Sequence, residues 1–364
     1  MVNNALKFGI ASAIIVAVIF TSVANIGLGL NNNNNNNNVG SQASEGESRV
    51  MRIGYFPNFN HAQAVIGLGR GDYQRALDGI EVRTQVFNAG PSVIEAMLAN
   101  QIDIAYVGPN PAINGFMVSN GTVLRVISGA ASGGAVFVVR NDADIQSTAD
   151  FDGKKFASPQ LGNTQDVALR KYLLENGFQP KTNEKDGPVE VLPAKTADIV
   201  TLMLRKQIDG AWVPEPWGAK LVKEANARIF VDERTLWPDG EFVTTHIIVR
   251  AQFLENNPET VKKFLKAHVE ETQWINEHQD EAIKAFNEEL KMITGKTIPE
   301  DELTEGLSRM KLTYDPIPDS LYQSAQDAVE IGFLQSGGPD LHNIYDLELL
   351  NEVLAEKGLA LVDQ

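Results

Sequence analysis

Two stretches of the chain carry the same pattern of apolar and polar positions. Residues 93–107 read "VIEAMLANQIDIAYV", and residues 199–213 read "IVTLMLRKQIDGAWV". Each begins with apolar residues at i, i+1, i+4 and i+5, which is the spacing of an apolar helix stripe. Each then passes through the string Gln-Ile-Asp into a short apolar run that is typical of a buried parallel strand. The pattern predicts the same helix and strand twice.

The residues around the two stretches extend this prediction. Gly90 and Pro91 provide a helix start before the first copy, and Thr196 is a candidate N-cap before the second. After each strand, a proline-rich turn ("GPNP" or "PEPW") leads into another helix. We therefore predict two related α/β lobes, although units of this kind can also recur by chance.

The alternation of strands and helices continues from residue 50 onward. Strands are predicted at 50–56, 80–87, 123–128, 135–140 and 242–250, with helices between most of them. The pattern indicates an α/β fold with two parallel or mixed sheets and flanking helices. The chain is expected to cross between lobes near residues 140 and 242, so that it forms a hinge. The predicted limits are 50–140 and 243–364 for lobe I, and 141–242 for lobe II.

The N-terminal part differs in composition from the rest. Residues 8–30 contain no charged side chain and are long enough to cross a bilayer as a helix. We interpret 1–30 as a membrane anchor, with a cleaved signal peptide as the alternative, because "SVA" at 22–24 suits a signal peptidase. Residues 31–49, which include eight consecutive asparagines, are predicted to be a flexible linker. Either interpretation places the protein outside the cytoplasm, anchored at the cell surface or secreted.

Composition excludes several classes of function. The net charge of −16 argues against a nucleic-acid partner, since phosphate binding needs a basic surface. The chain has no cysteine, so disulfides and cysteine chemistry are excluded. Its five histidines are scattered, so no metal site and no cofactor are predicted. We expect a monomer.

Four segments carry a resemblance to a known family. They are "IGYFPNFNHAQAVIGLGRG", "FNAGPSVIEAMLANQIDIAYVGPNPA", "FASPQLGNTQDVALRKYLLENG" and "QIDGAWVPEPWGAKL", and they occur in order across 53–221. Together they resemble the substrate-binding proteins of ABC importers, in the nitrate/sulfonate/taurine group with the type II periplasmic-binding fold. With the helical C-terminal part, the resemblance covers residues 50–364.

The resemblance implies a function as well as a fold. Such proteins capture a small anionic or zwitterionic solute between two closing lobes and deliver it to a membrane permease and its ATPase. Binding without catalysis is therefore the expected role. The alternative is an enzyme or binding protein for a thiamin pyrimidine precursor, but those enzymes rely on a cysteine-rich motif that this chain lacks. A tethered sensor is disfavoured, because about seven residues precede the predicted span.

Parallel strands bring their carboxyl ends, and the helix starts that follow, to one edge of a sheet. Five turns are expected at that edge: 57–61, 88–92, 108–111, 160–165 and 214–217. None of them contains Lys or Arg, so backbone N–H groups at the helix starts are expected to bind an anion. The candidate ligand-binding residues are Asn58, Asn60, His61, Gly90, Ser92, Gly108, Asn110, Asn163, Thr164, Gln165, Glu215 and Trp217.

Several candidates have an alternative role. Asn60, Asn110 and Thr164 are also candidate N-caps, and Trp217 is a candidate either for the pocket wall or for core packing. Glu215 leaves two possibilities. If its carboxylate faces the cleft, the ligand should also carry a cationic or hydrogen-bond-donating group, as an aminosulfonate does; otherwise it is a solvated turn residue or a favourable acid at a helix start.

Overall fold

The structure of the protein, a computed structural model, describes residues 50–181 and 187–363. The predicted membrane segment or signal peptide (1–30) and the Asn-rich linker (31–49) lie outside the described residues. Within those ranges, no helix combines the length and the apolar character that a bilayer span requires.

Eleven strands are found among the described residues, and they form two mixed sheets. The strands are β1 (Val50–Tyr55), β2 (Glu81–Val86), β3 (Ile104–Val107), β4 (Leu124–Gly133), β5 (Ala135–Arg140), β6 (Lys155–Ser158), β7 (Glu190–Pro193), β8 (Gly210–Pro214), β9 (Ala227–Asp232), β10 (Val243–Arg250) and β11 (Met310–Leu312). The first sheet has the order β11-β4-β10-β3-β1-β2, and the second has the order β7-β6-β8-β5-β9. We refer to each sheet with its helices as the first and the second lobe.

Helices cover both sheets and form most of the C-terminal part. They are α1 (Ala62–Gly69), α2 (Asp72–Ala76), α3 (Gly90–Leu98), α4 (Pro109–Val118), α5 (Thr164–Glu175), α6 (Thr196–Leu204), α7 (Trp217–Glu224), α8 (Ala251–Asn256), α9 (Pro258–Glu277), α10 (Gln279–Thr294), α11 (Glu300–Leu307), α12 (Pro318–Glu330) and α13 (Glu348–Glu356). The long helices α9 and α10 bury apolar residues in the core of the first sheet, among them Phe264 and Phe286.

The predicted repeat is present in the structure. In the first lobe, α3, β3 and α4 follow one another, and in the second lobe α6, β8 and α7 do the same. The strands β1, β2 and β3 pair in parallel, as do β6, β7 and β8. In both sheets an antiparallel strand, β10 or β5, then pairs with β3 or β8. The two lobes therefore share one topology.

The repeated Gln-Ile-Asp string has a structural explanation. The carboxylate of Asp103 accepts hydrogen bonds from the backbone N–H of Arg52 at 3.0 Å and from the side chains of Arg52 and Arg250. In the second lobe, Asp209 accepts from the backbone N–H of Lys155 at 2.9 Å and pairs with Arg140 at 3.1 Å. Each aspartate thus connects the start of a parallel strand, β1 or β6, to an arginine at the end of an antiparallel strand, β10 or β5.

The predicted boundary of lobe I at residue 140 is wrong. Strand β5 pairs with β8 and β9 in the second sheet, so the chain leaves the first sheet before Ala135. The crossing is made by Gly133 and Gly134, whose φ angles of 72° and 73° suit glycine. Because β4 and β5 are both apolar, hydropathy alone does not show which sheet each one joins. Strand β10 returns to the first sheet, as predicted.

Replacing Asp103 by Asn should lower the free energy of unfolding by about 2 kcal/mol near neutral pH, because charge-assisted hydrogen bonds are lost. Burial opposes ionisation of Asp103, but the hydrogen bonds from Arg52 and Arg250 prevail and lower the pKa of this carboxyl. Its contribution is therefore complete above the ordinary carboxyl pKa of about 4 and is lost as the pH falls through the lowered value. Urea titrations at several pH values measure this.

The control for this prediction is Asp78→Asn, an exposed position. The difference between wild type and Asp103→Asn should shrink as the pH is lowered, whereas Asp78→Asn should have little effect at any pH. A difference for Asp103→Asn that grows on acidification would contradict the assigned role.

Candidate functional site

A small cavity lies between the two lobes, at the carboxyl ends of their parallel strands. Its walls come from the turns after β1, β2 and β3 in the first lobe, from those after β6 and β7 in the second, and from β10. Its volume is about 30 Å³, which is room for roughly two water molecules. We call it the inner cavity.

Eight of the twelve candidate residues line the inner cavity. They share a position in the turn that follows a parallel strand, and they come from both lobes. The residues are Asn58, Asn60, His61, Gly90, Gly108, Asn163, Thr164 and Gln165. The turns predicted from the sequence are therefore brought together, although a contact with ligand remains a prediction for each residue.

The other four candidates do not line the inner cavity: Ser92, Asn110, Glu215 and Trp217. The side-chain N–H of Asn110 donates to the backbone carbonyl of Ser324 at 3.0 Å, so this residue connects α4 to α12. The indole N–H of Trp217 donates to Oδ1 of Asn58 at 2.9 Å, which connects the two lobes beside the cavity. Ser92 lies in the first turn of α3.

Glu215 neither faces the cleft nor is solvated; of the alternatives considered from the sequence, an acid at a helix start is the one that it matches. Its side chain is buried, and Oε1 pairs with Nη1 of Arg309 at 2.6 Å while Oε2 accepts from the backbone N–H of Ala219 at 2.9 Å. Burial raises the pKa of Glu215, and the nearby Arg309 opposes this. No local pattern indicates this pair, because Arg309 is 94 residues away in the chain. Glu215 therefore connects the two lobes and is not a wall of the inner cavity.

Several lining residues were not predicted. Thr244 and Thr245 belong to β10, and Asn88 and Thr196 precede or begin helices of the two lobes. The two threonines interrupt the apolar run of β10, and this interruption is the feature of the sequence that could have predicted them as lining residues. Thr244 is satisfied within the protein, since its hydroxyl donates to the carbonyl of Gly133 at 2.7 Å. Thr245 has a different environment.

Three polar atoms of the inner-cavity walls are buried without a hydrogen-bond partner in the protein. They are Oδ1 of Asn60, Oγ1 of Thr164 and Oγ1 of Thr245. A buried polar group that lacks a partner costs about 1–3 kcal/mol. The three atoms lie around one cavity: the two threonine hydroxyls can donate hydrogen bonds, whereas Oδ1 of Asn60 can only accept one.

Helices of both lobes begin at the inner cavity. The N-termini of α3 and α4 come from the first lobe, and those of α5 and α6 come from the second. The first N–H groups of a helix have no partner within it. No side chain caps α3, α4 or α6, whereas Asn163 caps α5 by accepting from the N–H of Asp166 at 2.9 Å. Asn60, Asn110 and Thr164, the predicted candidate caps, do not have that role.

The protonation state of His61 follows from its surroundings. Burial lowers the pKa of its imidazole to about 3, so the ring is neutral at physiological pH. Its Nδ1 lies 3.4 Å from the backbone N–H of Phe56, which makes Nδ1 the acceptor. The proton is then carried by Nε2, and His61 contributes a neutral N–H donor.

No Lys, Arg, Asp or Glu is found among the described residues that line the inner cavity. The walls instead provide hydroxyls, carboxamides, one neutral imidazole and the N-termini of four helices. Helix N-termini carry a partial positive charge and point N–H groups outward. The inner cavity therefore offers hydrogen-bond donors that carry no full charge.

Two curated proteins are similar to this chain over most of its length. The putative aliphatic sulfonates-binding protein of Bacillus subtilis is 24% identical over 302 residues, which are 81% of this chain and 84% of that protein. The taurine-binding periplasmic protein of Escherichia coli is 24% identical over 225 residues, which are 62% of this chain and 67% of that protein.

A solved structure and a family profile extend the comparison. The alkanesulfonate-binding protein of Xanthomonas axonopodis pv. citri, bound to MOPS, superposes with a TM-score of 0.66 at 16% identity, covering 80% of this chain and 96% of that one. Residues 44–288 match the profile of the NMT1-like family. The resemblance noted from the sequence is confirmed: the chain belongs to the NMT1-like family and has the two-sheet fold of periplasmic binding proteins.

Proposed function

We propose that this protein is the extracytoplasmic solute-binding component of an ABC importer. It captures a small organic anion of the sulfonate, taurine or nitrate class between its lobes and delivers it to the permease and its ATPase. The observation that carries the proposal is the inner cavity, whose walls hold unpartnered buried polar atoms but no charged side chain. The names of the relatives from E. coli and B. subtilis support the same class of ligand.

The role does not require catalysis. The named relatives are binding proteins, and the neutral donors of the inner cavity suit recognition of an anion. The alternative, a thiamin pyrimidine precursor, is not favoured, since those relatives bind taurine or sulfonates by name. We further propose that the N-terminal segment anchors the protein in the membrane or is cleaved as a signal peptide, on the basis of the uncharged run at 8–30. The protein is proposed to act as a monomer.

Closure of the lobes on the ligand is part of this proposal. Gly108 belongs to the first lobe and Thr164 to the second, and a Cβ placed on Gly108 would lie 2.2 Å from Oγ1 of Thr164. Glycine therefore allows the close approach of the two lobes at this point. A ligand that binds the closed form better than the open form stabilises the closed form, which a permease can recognise.

Replacing Thr245 by Val should lower the affinity for butanesulfonate about tenfold or more. The substitution keeps the shape of the side chain and removes one unpartnered hydroxyl from the cavity wall, and a hydrogen bond to a charged group contributes about 1.5–3 kcal/mol. Isothermal titration calorimetry measures the affinity. The free energy of unfolding should stay the same or rise, because the hydroxyl has no partner in the protein.

The matched control is Thr272→Val. The hydroxyl of Thr272 is also buried, but it donates to the carbonyl of His268 at 2.8 Å and contacts Gln63 at 3.2 Å, away from the cavity. This substitution should lower the free energy of unfolding by about 1 kcal/mol and leave the affinity unchanged. Equal affinities for wild type and Thr245→Val would remove Thr245 from the site.

Replacing Gly108 by Ala should weaken butanesulfonate binding at least tenfold, because the added methyl group meets Thr164 when the lobes close. Gly108 has a φ of −70°, so alanine fits its backbone conformation without strain. Titration calorimetry gives the affinity, and small-angle X-ray scattering shows whether ligand still makes the molecule more compact.

A double-mutant cycle separates this clash from other effects. In a Thr164→Ala background the nearest remaining side-chain atom of residue 164 is its Cβ, at 3.3 Å from the added methyl group. Gly108→Ala should then cost much less affinity than it does beside threonine. The same loss in both backgrounds would rule out the proposed contact between the lobes.

A further inference from the structure

The buried carboxamides of the inner cavity are not all oriented in the same way. Four of them line it: Asn58, Asn60, Asn163 and Gln165. Oδ1 of Asn58 accepts from the indole N–H of Trp217 at 2.9 Å, and Oε1 of Gln165 accepts from Nδ2 of Asn163 at 3.0 Å. The oxygen of Asn163 caps α5. In these three side chains the oxygen is therefore already occupied within the protein.

Asn60 has the opposite orientation. Its Nδ2 lies 2.9 Å from Oγ1 of Thr244, 3.2 Å from the carbonyl oxygen of Gly133 and 3.4 Å from that of Gly134. The hydroxyl of Thr244 donates its own proton to the carbonyl of Gly133 at 2.7 Å, so it accepts from Asn60. Because all three neighbours are acceptors, the NH₂ end of the carboxamide belongs among them.

Oδ1 of Asn60 is the polar atom that this orientation leaves for the cavity. The residue is only 3% exposed, and Oδ1 has no hydrogen-bond partner within the described part of the chain. Gly133 and Gly134, which hold the NH₂ end, do not line the inner cavity, whereas Asn60 does. The contacts at Nδ2 keep the carboxamide from rotating. An acceptor is thus fixed in a wall that otherwise offers donors.

A fixed, buried acceptor discriminates between anions. Water can donate to Oδ1 before a ligand binds, and a ligand that displaces this water loses affinity unless it brings a donor of its own. Nitrate and simple alkanesulfonates have no N–H or O–H on the anionic group. Since the inner cavity has room for only about two water molecules, the donor must lie close to the charge.

We infer that Oδ1 of Asn60 selects a ligand that carries a hydrogen-bond donor on its anionic group or on the atom next to it. Such a ligand is an oxyanion with an N–H or O–H beside the charge, as in an N-alkylsulfamate or a singly protonated phosphonate. Its oxygens accept from Thr164, Thr245 and the helix N-termini, and its N–H or O–H donates to Asn60. This inference rests on the proposed function and narrows its ligand class.

Two matched pairs of anions test the inference at neutral pH. Sulfamate and methanesulfonate have the same charge, shape and number of non-hydrogen atoms, but sulfamate carries NH₂ in place of CH₃. N-propylsulfamate and butanesulfonate differ by one N–H in place of a methylene. Calorimetric titration of the full chain should show about tenfold tighter binding of the N–H member of each pair. The hydrophobic effect alone would favour the other member.

The variant Asn60→Leu localises this preference. Leucine has a similar volume but no acceptor. The carbonyl of Gly133 keeps the hydroxyl of Thr244 as a donor, and that of Gly134 keeps the backbone N–H of Glu215 at 2.9 Å, so neither carbonyl is left unmet. The affinity ratio within each pair should fall to about one or below. Because both anions of a pair are compared on the same protein, a general loss of stability or of closure does not produce this change.

The matched control is Asn110→Leu. Asn110 is also a buried carboxamide whose Nδ2 donates to a backbone carbonyl, that of Ser324 at 3.0 Å, but it does not line the inner cavity. The affinity ratio should stay about tenfold in this variant, even where the free energy of unfolding is lowered.

The outcomes separate this inference from the proposed function. Equal affinities within both wild-type pairs, or tighter binding of the alkanesulfonates, would overturn the inference and leave an anion-binding protein. A preference for the N–H anions that persists in Asn60→Leu would assign their donor to another group and would also overturn it. Failure of all four anions to bind would overturn the proposed function together with the inference.

Discussion

The inner cavity surrounds hydrogen-bonding groups that have no partner within the protein, and the proposed behaviour of the whole molecule depends on this. The unpartnered oxygens of Asn60, Thr164 and Thr245 each cost about 1–3 kcal/mol unless water or a ligand supplies a partner. In the proposed function, an oxyanion accepts hydrogen bonds from the two threonine hydroxyls and from the helix N-termini around it. Ligand binding and lobe closure are then coupled through the same neutral atoms.

The repeated topology explains how these atoms are positioned. In each lobe an aspartate, Asp103 or Asp209, connects the strand beside it to an arginine at the end of the antiparallel strand. These clamps lie at the opposite end of the strands from the cavity, so each lobe can move as a rigid unit. The pair between Glu215 and Arg309 connects the lobes at their junction. These ion pairs thus fix the lobes, and the described side chains that line the inner cavity are neutral.

Much of this arrangement could be predicted from the sequence, because it follows from local pattern. The repeat predicted the shared topology, and the turns after parallel strands predicted Asn60, Gly108 and Thr164 in the cavity wall. The remaining features depend on contacts between distant parts of the chain. Hydropathy did not assign β5 to the second sheet, because β5 and the preceding strand β4 are both apolar. The partner of Glu215, Arg309, is 94 residues away along the chain, and Thr245 belongs to a strand whose pattern indicates core packing.

The central claim is that neutral donors of both lobes hold the anion. A crystal structure of the protein with butanesulfonate tests this claim most directly. We expect the sulfonate oxygens within hydrogen-bonding distance of Thr164 and Thr245 and of the first N–H groups of α5 or α6. A sulfonate group paired instead with Lys220 or Lys296, outside the inner cavity, with the inner cavity left to water, would contradict the account.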